Sequence, residues 1–353
     1  MQPDLTNHMP LQELRLGTRG SQLALWQANA VANRITAAGG PPCRIVVIRT
    51  SGDRLAEAPL SAIGGKRLFV KEIEDALLRH EVDLAVHSSK DMPATLPDGL
   101  TIAGVLPRED PLDAMVLPAS RSMGTITLDE LVVGIGQTPS IGTGSVRRVA
   151  QLARLFPGAR FMPIRGNLGT RLHKVDEGEY DVLVLAAAGL RRLGFSSRIA
   201  LTLPVDACVP APGQGIVAIE IRDSDEAVRR VVARIDDPAA AAALAAERAV
   251  VAALGGGCQT PVGALAVPVD GAALELVAVV VALDGSRAVR RTARGPWREA
   301  TVIGTRVGVQ LIADGADEIL AEAQRAQGAG EGHDSEDPRR SPLGSRRSKA
   351  ELR

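Results

Sequence analysis

Short runs of apolar, mostly β-branched residues alternate with segments of helical apolar spacing over the first two thirds of the chain. Such runs are typical of strands that are buried on both faces of a sheet. Ser21 can cap a helix over Gln22–Ala37, with Trp26 and Ile35 near one apolar face. The alternation predicts an α/β architecture with largely parallel sheets. The predicted strands are Ile45–Thr50, Val82–His87, Phe161–Ile164 and Asp181–Ala186, and the further helices are Phe69–His80, Ser145–Phe156 and Leu168–Glu177.

The pattern changes near Asp236-Asp237-Pro238, which fits a chain of 353 residues that is long enough for two or three domains. An alanine-rich helix is predicted next, and three strands and a closing helix then indicate a small α+β domain. From residue 328 onward the sequence is polar, rich in Gly, Ser and Pro, and without periodicity, which predicts a disordered tail. The predicted elements are Ala239–Leu254, Val262–Val269, Ala273–Leu283, Ala288–Gly295 and Val307–Ala326.

The charge balance of 41 basic against 41 acidic residues argues against a nucleic-acid partner. Between Ser140 and Ala200, however, ten Lys or Arg face four Asp or Glu, which predicts a small anionic ligand. Three cysteines without metal or disulfide spacing suggest a reducing cytoplasm and no bound metal. The N-terminus lacks a signal-peptide pattern, and the most apolar stretch, Leu274–Leu283, is too short for a membrane span. We therefore expect a soluble cytoplasmic protein.

A cysteine directly follows three glycines in Gly255-Gly256-Gly257-Cys258. The glycines permit tight turns and the close approach of another group, so the Cys258 thiol could face a neighbouring cleft. The alternative is an ordinary buried thiol in a turn, which the local sequence alone slightly favours.

A polar loop, His87-Ser88-Ser89-Lys90-Asp91, follows an apolar strand. Ligands of open α/β sheets gather at the carboxyl ends of strands, and this end carries hydroxyls, a cation and a carboxylate. Asp91 beside a cation could stay ionised and stabilise a developing positive charge, or relay a proton. The alternative is a simple turn.

Arginines recur where strands end or helices begin, in GTGSVRR (142–148), RGNLGTR (165–171) and the Arg191-Arg192 pair. The guanidinium group forms forked hydrogen bonds to carboxylates, and helix N-termini favour anions. Gly17-Thr18-Arg19-Gly20-Ser21 precedes a helix in the same way. A solvated face would explain one such pair, whereas their repetition favours anion binding. Residues 51–65, ending before Lys66, are either a mobile lid or a plain surface loop.

These segments, in this order, resemble the porphobilinogen deaminase (hydroxymethylbilane synthase) family. The resemblance runs from about Leu14 to Gly263 and weakens afterwards. The blocks that carry it are TRGSQLALWQA, GGKRLFVKEIEDALL, DLAVHSSKDMP, REDPLDA, GTGSVRRVAQL, RGNLGTRLHK, AAAGLRRLG, PAPGQG and GGGCQTPVG.

The resemblance implies a transferase that joins four porphobilinogen molecules head to tail into hydroxymethylbilane with loss of ammonia, a step of tetrapyrrole (haem, chlorophyll and cobalamin precursor) biosynthesis. It implies a dipyrromethane cofactor held by a thioether to Cys258. Asp91 is implied as the catalytic carboxylate that assists ammonia departure and stabilises a cationic azafulvene, with Arg19 and Lys90 also at the reacting position. Acetate and propionate groups on each pyrrole would account for the arginines. The implied binding residues are Ser21, Lys66, Ser88, Thr143, Ser145, Arg147, Arg148, Arg165, Arg192 and Gln214.

The family fold implies two α/β domains, each like half of a periplasmic binding protein, with the active cleft between them. The implied division is 11–106 with 216–233, then 112–209, then a small α+β domain over 238–327 that carries the cysteine. A monomer without nucleic-acid or membrane partners is implied as well. The chain departs from the family pattern at Gly144, Ser89, Ala62 and Arg67, which places individual loop contacts in doubt.

Two other classes of function remain open from the residues alone. The arginine-bearing turns would also suit a non-catalytic carboxylate or phosphate receptor, although such proteins usually carry an export signal. A phosphate-handling enzyme is disfavoured because the chain has neither a GxxxxGK[ST] loop nor a dinucleotide GxGxxG unit.

Overall fold

The computed structural model describes residues 12–51, 70–121, 126–255 and 260–331, with the backbone alone for 327–331. Within these ranges the chain forms two five-stranded sheets flanked by helices and a three-stranded sheet packed against helices. The predicted fold class, two α/β units and a small α+β unit, is confirmed.

The first sheet has the strand order β2-β1-β3-β10-β4. Strands β1, β2 and β3 are parallel, whereas β10 runs antiparallel to both β3 and β4. Helix α1 keeps the predicted bounds, but it buries Gln27, Ala28, Val31 and Ile35, and Trp26 remains 40% exposed. The elements are β1 (Leu14–Thr18), α1 (Gln22–Ala37), β2 (Cys43–Val47), α2 (Lys71–Leu78), β3 (Leu84–Ser88), β4 (Leu100–Val105), β10 (Val217–Arg222) and α7 (Glu226–Val232).

The second sheet repeats this arrangement with the order β7-β6-β8-β5-β9. Again three strands are parallel, and β5 runs antiparallel to β8 and β9. Two of the four strand pairs in each sheet are antiparallel, so the expectation of largely parallel sheets is wrong. The elements are β5 (Asp113–Val116), α3 (Leu128–Ile135), β6 (Ser140–Gly142), α4 (Val146–Leu152), β7 (Arg160–Met162), α5 (Leu168–Asp176), β8 (Val182–Ala186), α6 (Ala187–Arg192) and β9 (Leu201–Thr202).

The chain passes between these two sheets twice. It leaves the first sheet after β4, builds the second sheet, and returns to insert β10 between β3 and β4. The two crossing segments touch, since the Glu109 amide donates to the Gly215 carbonyl at 3.0 Å. Gly215 has a φ of +86°, and a Cβ there would lie 2.2 Å from the Glu109 carbonyl oxygen, so only glycine allows this approach. The residue limits of the implied domains stay a prediction.

The third unit packs helices on one antiparallel sheet, β11-β12-β13. The single closing helix predicted over Val307–Ala326 is two helices in the structure. Ile303, Val307 and Leu311 continue the apolar face toward the N-terminus, and Gly315, with φ at +92°, ends the first helix. The second helix extends to Glu331, into the predicted tail. The elements are α8 (Pro238–Ala253), β11 (Val262–Val269), β12 (Ala273–Val281), β13 (Ala288–Pro296), α9 (Ala300–Ala313) and α10 (Ala316–Glu331).

The third unit is packed on both other units. Ala240 and Leu244 of α8 join Met92 and Ile216 in one buried apolar cluster. Leu265, Val279 and Val281 join Ala150 and Val209 in another. Burial of these apolar side chains holds the cysteine-bearing unit against the two sheets.

Candidate functional site

The polar loop after β3 forms a single tight turn, Ser89–Asp91. Ser88 accepts a hydrogen bond from Gln27 Nε2 of α1 at 2.8 Å, which fixes the end of the strand. Lys90 donates from Nζ to Gln214 Oε1 at 3.2 Å. Asp91 is half-buried at the end of this turn. The structure therefore places a carboxylate at the carboxyl end of the strand, as predicted.

Gln214 connects this loop to the second sheet. Its Nε2 donates to Asp113 Oδ1 at 2.9 Å and to the Pro111 carbonyl at 2.7 Å, while its Oε1 accepts from Lys90. Gln214 is itself 1% exposed. A buried, hydrogen-bonded amide of this kind fixes geometry because each lost bond would leave a desolvated polar atom. Gln214 thus ties Lys90 to the first strand of the second sheet.

Asp113 is the centre of a buried charge cluster. Its carboxylate accepts from Arg147 Nη1 at 2.7 Å and from Arg148 Nε at 2.9 Å, and it has no exposed surface. Burial by itself would raise the pKa of Asp113. The charges of Arg147 and Arg148 outweigh that effect and hold the pKa well below its usual range. Asp113 is therefore ionised at neutral pH.

Arg147 and Arg148 are consequently engaged within the protein. They are 4% and 6% exposed, and they also donate to the Val209 and Val184 carbonyl oxygens, each at 2.8 Å. The Cys208 thiol lies 3.3 Å from Arg147 Nη1, and its pKa is raised to about 12, mainly by burial. The two arginines that the sequence pattern offered as ligand-binding groups thus hold the second sheet to the returning crossing segment.

Replacing Asp113 by alanine is expected to destabilise the protein by about 3–5 kcal/mol, because two buried guanidinium groups would lose their counter-charge. The folded-state pKa lies below the unfolded value. The stabilisation is therefore complete above the unfolded pKa of about 3.9 and is lost as the pH falls through the folded one. Denaturant unfolding at pH 7 measures the change. Asp206→Ala, which removes an exposed ion pair to Arg290, is the control and should change stability little. A small effect of Asp113→Ala would contradict the assignment.

Three of the implied hydroxyls serve local structure. Ser21 caps α1 by accepting from the Ala24 amide at 3.3 Å, and Ser145 caps α4. Thr143 is buried, and its hydroxyl accepts from the Ser145 amide at 3.3 Å. Gly144 is exposed, and an added Cβ would lie 3.4 Å from the Ile164 carbonyl oxygen, so a serine would fit there.

Arg165 and Arg171 lie at the start of α5 in a poorly compensated electrostatic environment. Burial, followed by the charges of Arg148 and Arg165, lowers the pKa of Arg171 to about 10, and Asp91 opposes this shift. Burial also lowers the pKa of Arg165. Two cations near Arg171 against one carboxylate favour the binding of a further anion.

Hydrogen bonds connect the Asp91 loop of the first unit to arginines of the second, because Lys90 is joined through Gln214 to Asp113, which Arg147 and Arg148 bind. Arg171 stands in the RGNLGTR segment, but it is not among the binding residues that the family resemblance implies. Arg171 lies four residues after Asn167, whose side chain caps α5 by accepting from the Thr170 amide. This position in the first turn of the helix was the signal in the sequence that could have identified Arg171. Arg19 is half-buried at the end of β1, on the same edge of the first sheet as Asp91.

Arg192, at the end of α6, reaches the junction between the sheets. Its Nη2 donates to the Gly215 carbonyl at 2.7 Å, while its buried Nε has no hydrogen-bond partner among the described residues. Burial lowers the pKa of Arg192, partly offset by Glu109. A desolvated donor without a partner is costly, and a bound carboxylate would satisfy it.

Cys258 and Lys66 lie outside the described residues, as do the departures at Ala62 and Arg67. The chain that follows Cys258 is nevertheless fixed against the site. Gly263 packs on Val209, where a Cβ would be 2.7 Å from the carbonyl oxygen that Arg147 binds, and Ala264 donates to Pro210 at 3.0 Å.

Glu247 of α8 fixes the part of the third unit that precedes Cys258 in the chain. This fully buried carboxylate accepts from Arg108 Nη1 at 2.6 Å, from the Gly213 amide at 2.6 Å and from the Ala266 amide at 2.7 Å. Both crossing segments and the third sheet therefore meet on one side chain. Helix α8, which leads toward the glycine run, is thereby fixed in position relative to the site.

The fold and this site define a class of protein, a two-lobed α/β protein with a docked third unit and with arginines of the second lobe held against the segment that returns to the first. Within the part of the chain that the structure describes, none of the helices combines the length and apolar character needed to cross a membrane.

The family model "Porphobilinogen deaminase, dipyromethane cofactor binding domain" matches residues 14–230, and "Porphobilinogen deaminase, C-terminal domain" matches residues 241–313. The porphobilinogen deaminase of Geotalea daltonii is 43% identical over 320 residues, covering 90% of this chain and 97% of that protein. That of Moorella thermoacetica is 43% identical over 321 residues, covering 91% and 99%. The chain belongs to the porphobilinogen deaminase family.

Two solved structures resemble the chain at much lower sequence identity. An ancestral cationic amino acid solute binding protein covers 64% of this chain and 88% of its own, at 12% identity and a TM-score of 0.37. The BenM effector binding domain with benzoate covers 64% and 91%, at 13% identity and a TM-score of 0.40. Similarity at this level does not extend to function.

Proposed function

We propose that this enzyme condenses four porphobilinogen molecules head to tail into hydroxymethylbilane, with release of ammonia, on a dipyrromethane primer attached to Cys258. The observation that carries the proposal is the line of hydrogen bonds that runs from Lys90, next to Asp91 on the first sheet, through Gln214 to Asp113 and its arginines on the second. A polyanionic pyrrole chain would be held by the arginines, with its reacting end next to a carboxylate.

The residues present fit a dipyrromethane. Its acetate and propionate groups are carboxylates, and the site offers cations that burial has desolvated, together with the unsatisfied Nε of Arg192. When bound, the cofactor would supply the pyrrole carbon to which the first substrate is joined. Arg165, Arg171 and Arg192 are the side chains best placed to hold its carboxylates. Arg19, Ser21 and Lys66 are proposed to assist.

We assign Arg147 and Arg148 a mainly structural role, unlike the other arginines. Their donors already serve Asp113 and backbone carbonyl oxygens. Their main contribution is then to fix the crossing segment and, for Arg148, to add positive potential at Arg171. Direct binding of substrate carboxylates falls chiefly to Arg165, Arg171 and Arg192.

Asp91 is proposed to act at the reacting carbon. A carboxylate there can stabilise the positive charge that develops on the pyrrole as ammonia leaves, and it can hold or return a proton. Lys90 is oriented by Gln214, which keeps its ammonium beside the same loop. The division of the chain into 11–106 with 216–233, 112–209 and 238–327, a monomeric state and a cytoplasmic location complete the proposal.

The direct test of this function is the stoichiometry of the reaction. Purified cofactor-loaded protein incubated with porphobilinogen should release one ammonia for each substrate consumed and yield a linear tetrapyrrole. Unchanged porphobilinogen in the presence of loaded protein would refute the proposal.

Arg171→Leu is expected to weaken the use of porphobilinogen about 10- to 100-fold in kcat/KM, because a charge-assisted contact to a carboxylate contributes about 1.5–3 kcal/mol. Steady-state assays of loaded protein measure the effect. Arg160→Leu is the matched control, since Arg160 is exposed on the edge strand β7. Equal kinetics in the two variants would remove Arg171 from the site.

A further inference from the structure

Trp26 lies where the two α/β units meet. The Arg192 guanidinium carbon is 5.4 Å from the centroid of the Trp26 ring, within the range of a cation–π interaction. Trp26 belongs to α1 of the first unit, whereas Arg192 ends α6 of the second. The contact therefore joins groups whose separation depends on how the two units are placed.

Core packing does not account for this tryptophan. The buried face of α1 consists of Gln27, Ala28, Val31 and Ile35, and Trp26 stands off that face with 40% of its surface exposed. Its neighbour one turn earlier, Leu23, also points to the second unit, with Cδ2 at 3.8 Å from the position of a Cβ on Gly189. One end of α1 thus faces α6.

The other contacts of Arg192 leave its buried Nε unused. Nη2 is held by the Gly215 carbonyl on the returning crossing segment, and the charge of Glu109 on the outgoing segment also acts on the group. Nε is buried without a hydrogen-bond partner among the described residues. The Trp26 ring is a neighbour that limits how the guanidinium can turn without occupying any donor.

We propose that Trp26 is a positioning residue that fixes the Arg192 guanidinium so that its unpartnered Nε meets a pyrrole carboxylate, which links substrate binding to the contact between α1 and α6. The inference rests on the proposed function. It adds a residue that acts through Arg192 and does not itself bind the substrate.

The first test separates KM from kcat. Trp26→Leu is expected to raise the KM for porphobilinogen about three- to tenfold, with kcat changed less than about twofold, because only the placement of a binding group is lost. Trp26→Phe keeps an aromatic face and should recover most of the loss. An unchanged KM in Trp26→Leu, or an equal loss in both variants, would overturn the proposal.

The second test is spectroscopic and leaves Trp26 in place. The chain has two tryptophans, so Trp297→Phe makes Trp26 the sole tryptophan, whose emission can be excited selectively. Trp297 lies in the third unit, where its Nε1 donates to the Ala273 carbonyl, and this variant should retain normal kinetics. Porphobilinogen added to loaded Trp297→Phe protein should change the emission, and Arg192→Leu in that background should abolish the change. Emission that does not change when porphobilinogen is added, or a change that persists in Arg192→Leu, would refute the coupling.

These outcomes are distinguishable from failure of the proposed function. If the protein did not condense porphobilinogen, the unaltered loaded protein would itself show no turnover. A normal wild-type rate together with unchanged kinetics in Trp26→Leu would remove only the positioning role.

Discussion

Asp91→Asn is expected to lower kcat by about 10²- to 10⁴-fold while the loaded protein remains folded. Asparagine is nearly isosteric with aspartate but carries no charge and cannot exchange a proton. The positive charge that develops as ammonia leaves would lose its partner. The repulsion that Arg171 experiences from Arg148 and Arg165 would also go unopposed, since Asp91 is the attractive charge acting on it.

The measurement is single-turnover ammonia release by protein whose cofactor content is verified beforehand. Asp98→Asn is the matched control, because Asp98 lies seven residues further along on the exposed surface and outside the site. Near-normal turnover in Asp91→Asn would contradict the catalytic role. Slow turnover in both variants would point to a general structural effect.

Cys258→Ala is expected to remove activity completely, because the growing chain would have no covalent anchor. The other two thiols are poor substitutes. Burial, with a smaller contribution from Glu13, raises the pKa of Cys43 to about 11, and burial raises the pKa of Cys208 to about 12. A thiol that stays protonated at neutral pH is a weak nucleophile.

Cys43→Ala is therefore the control and should keep both cofactor and activity. The assay is porphobilinogen consumption after purification of each variant from cells that make the substrate. Full activity in Cys258→Ala would exclude the tether at this position.

The α/β character of the chain could be predicted because its apolar periodicity survives in the sequence. The bounds of α1 and of β11 follow from a cap residue and an unbroken apolar run. Strand β10 was missed because Glu220 and Arg222 interrupt an otherwise apolar segment, although all six of its residues are buried. The mixed strand direction and the double crossing depend on contacts between residues distant in sequence, which local pattern does not encode.

The site was predicted in part for the same reason. Strand-end placement of Asp91 and the clustering of arginines follow from topology and composition. Topology and composition do not show which arginines can bind a ligand. Arg147 and Arg148 look like the best carboxylate ligands in the sequence, but in the structure both bind Asp113. Trp26 differs from its sequence-based expectation in another way. A large apolar side chain at helical spacing is expected in the core, but Trp26 faces the neighbouring unit.

The intact mass of the purified, active protein tests the tethered-primer account most directly. The account predicts a mass above that of the 353-residue chain by two linked porphobilinogen-derived pyrrole units, located on the peptide that contains Cys258 and absent from Cys258→Ala. Active protein with the unmodified mass of the chain would contradict it.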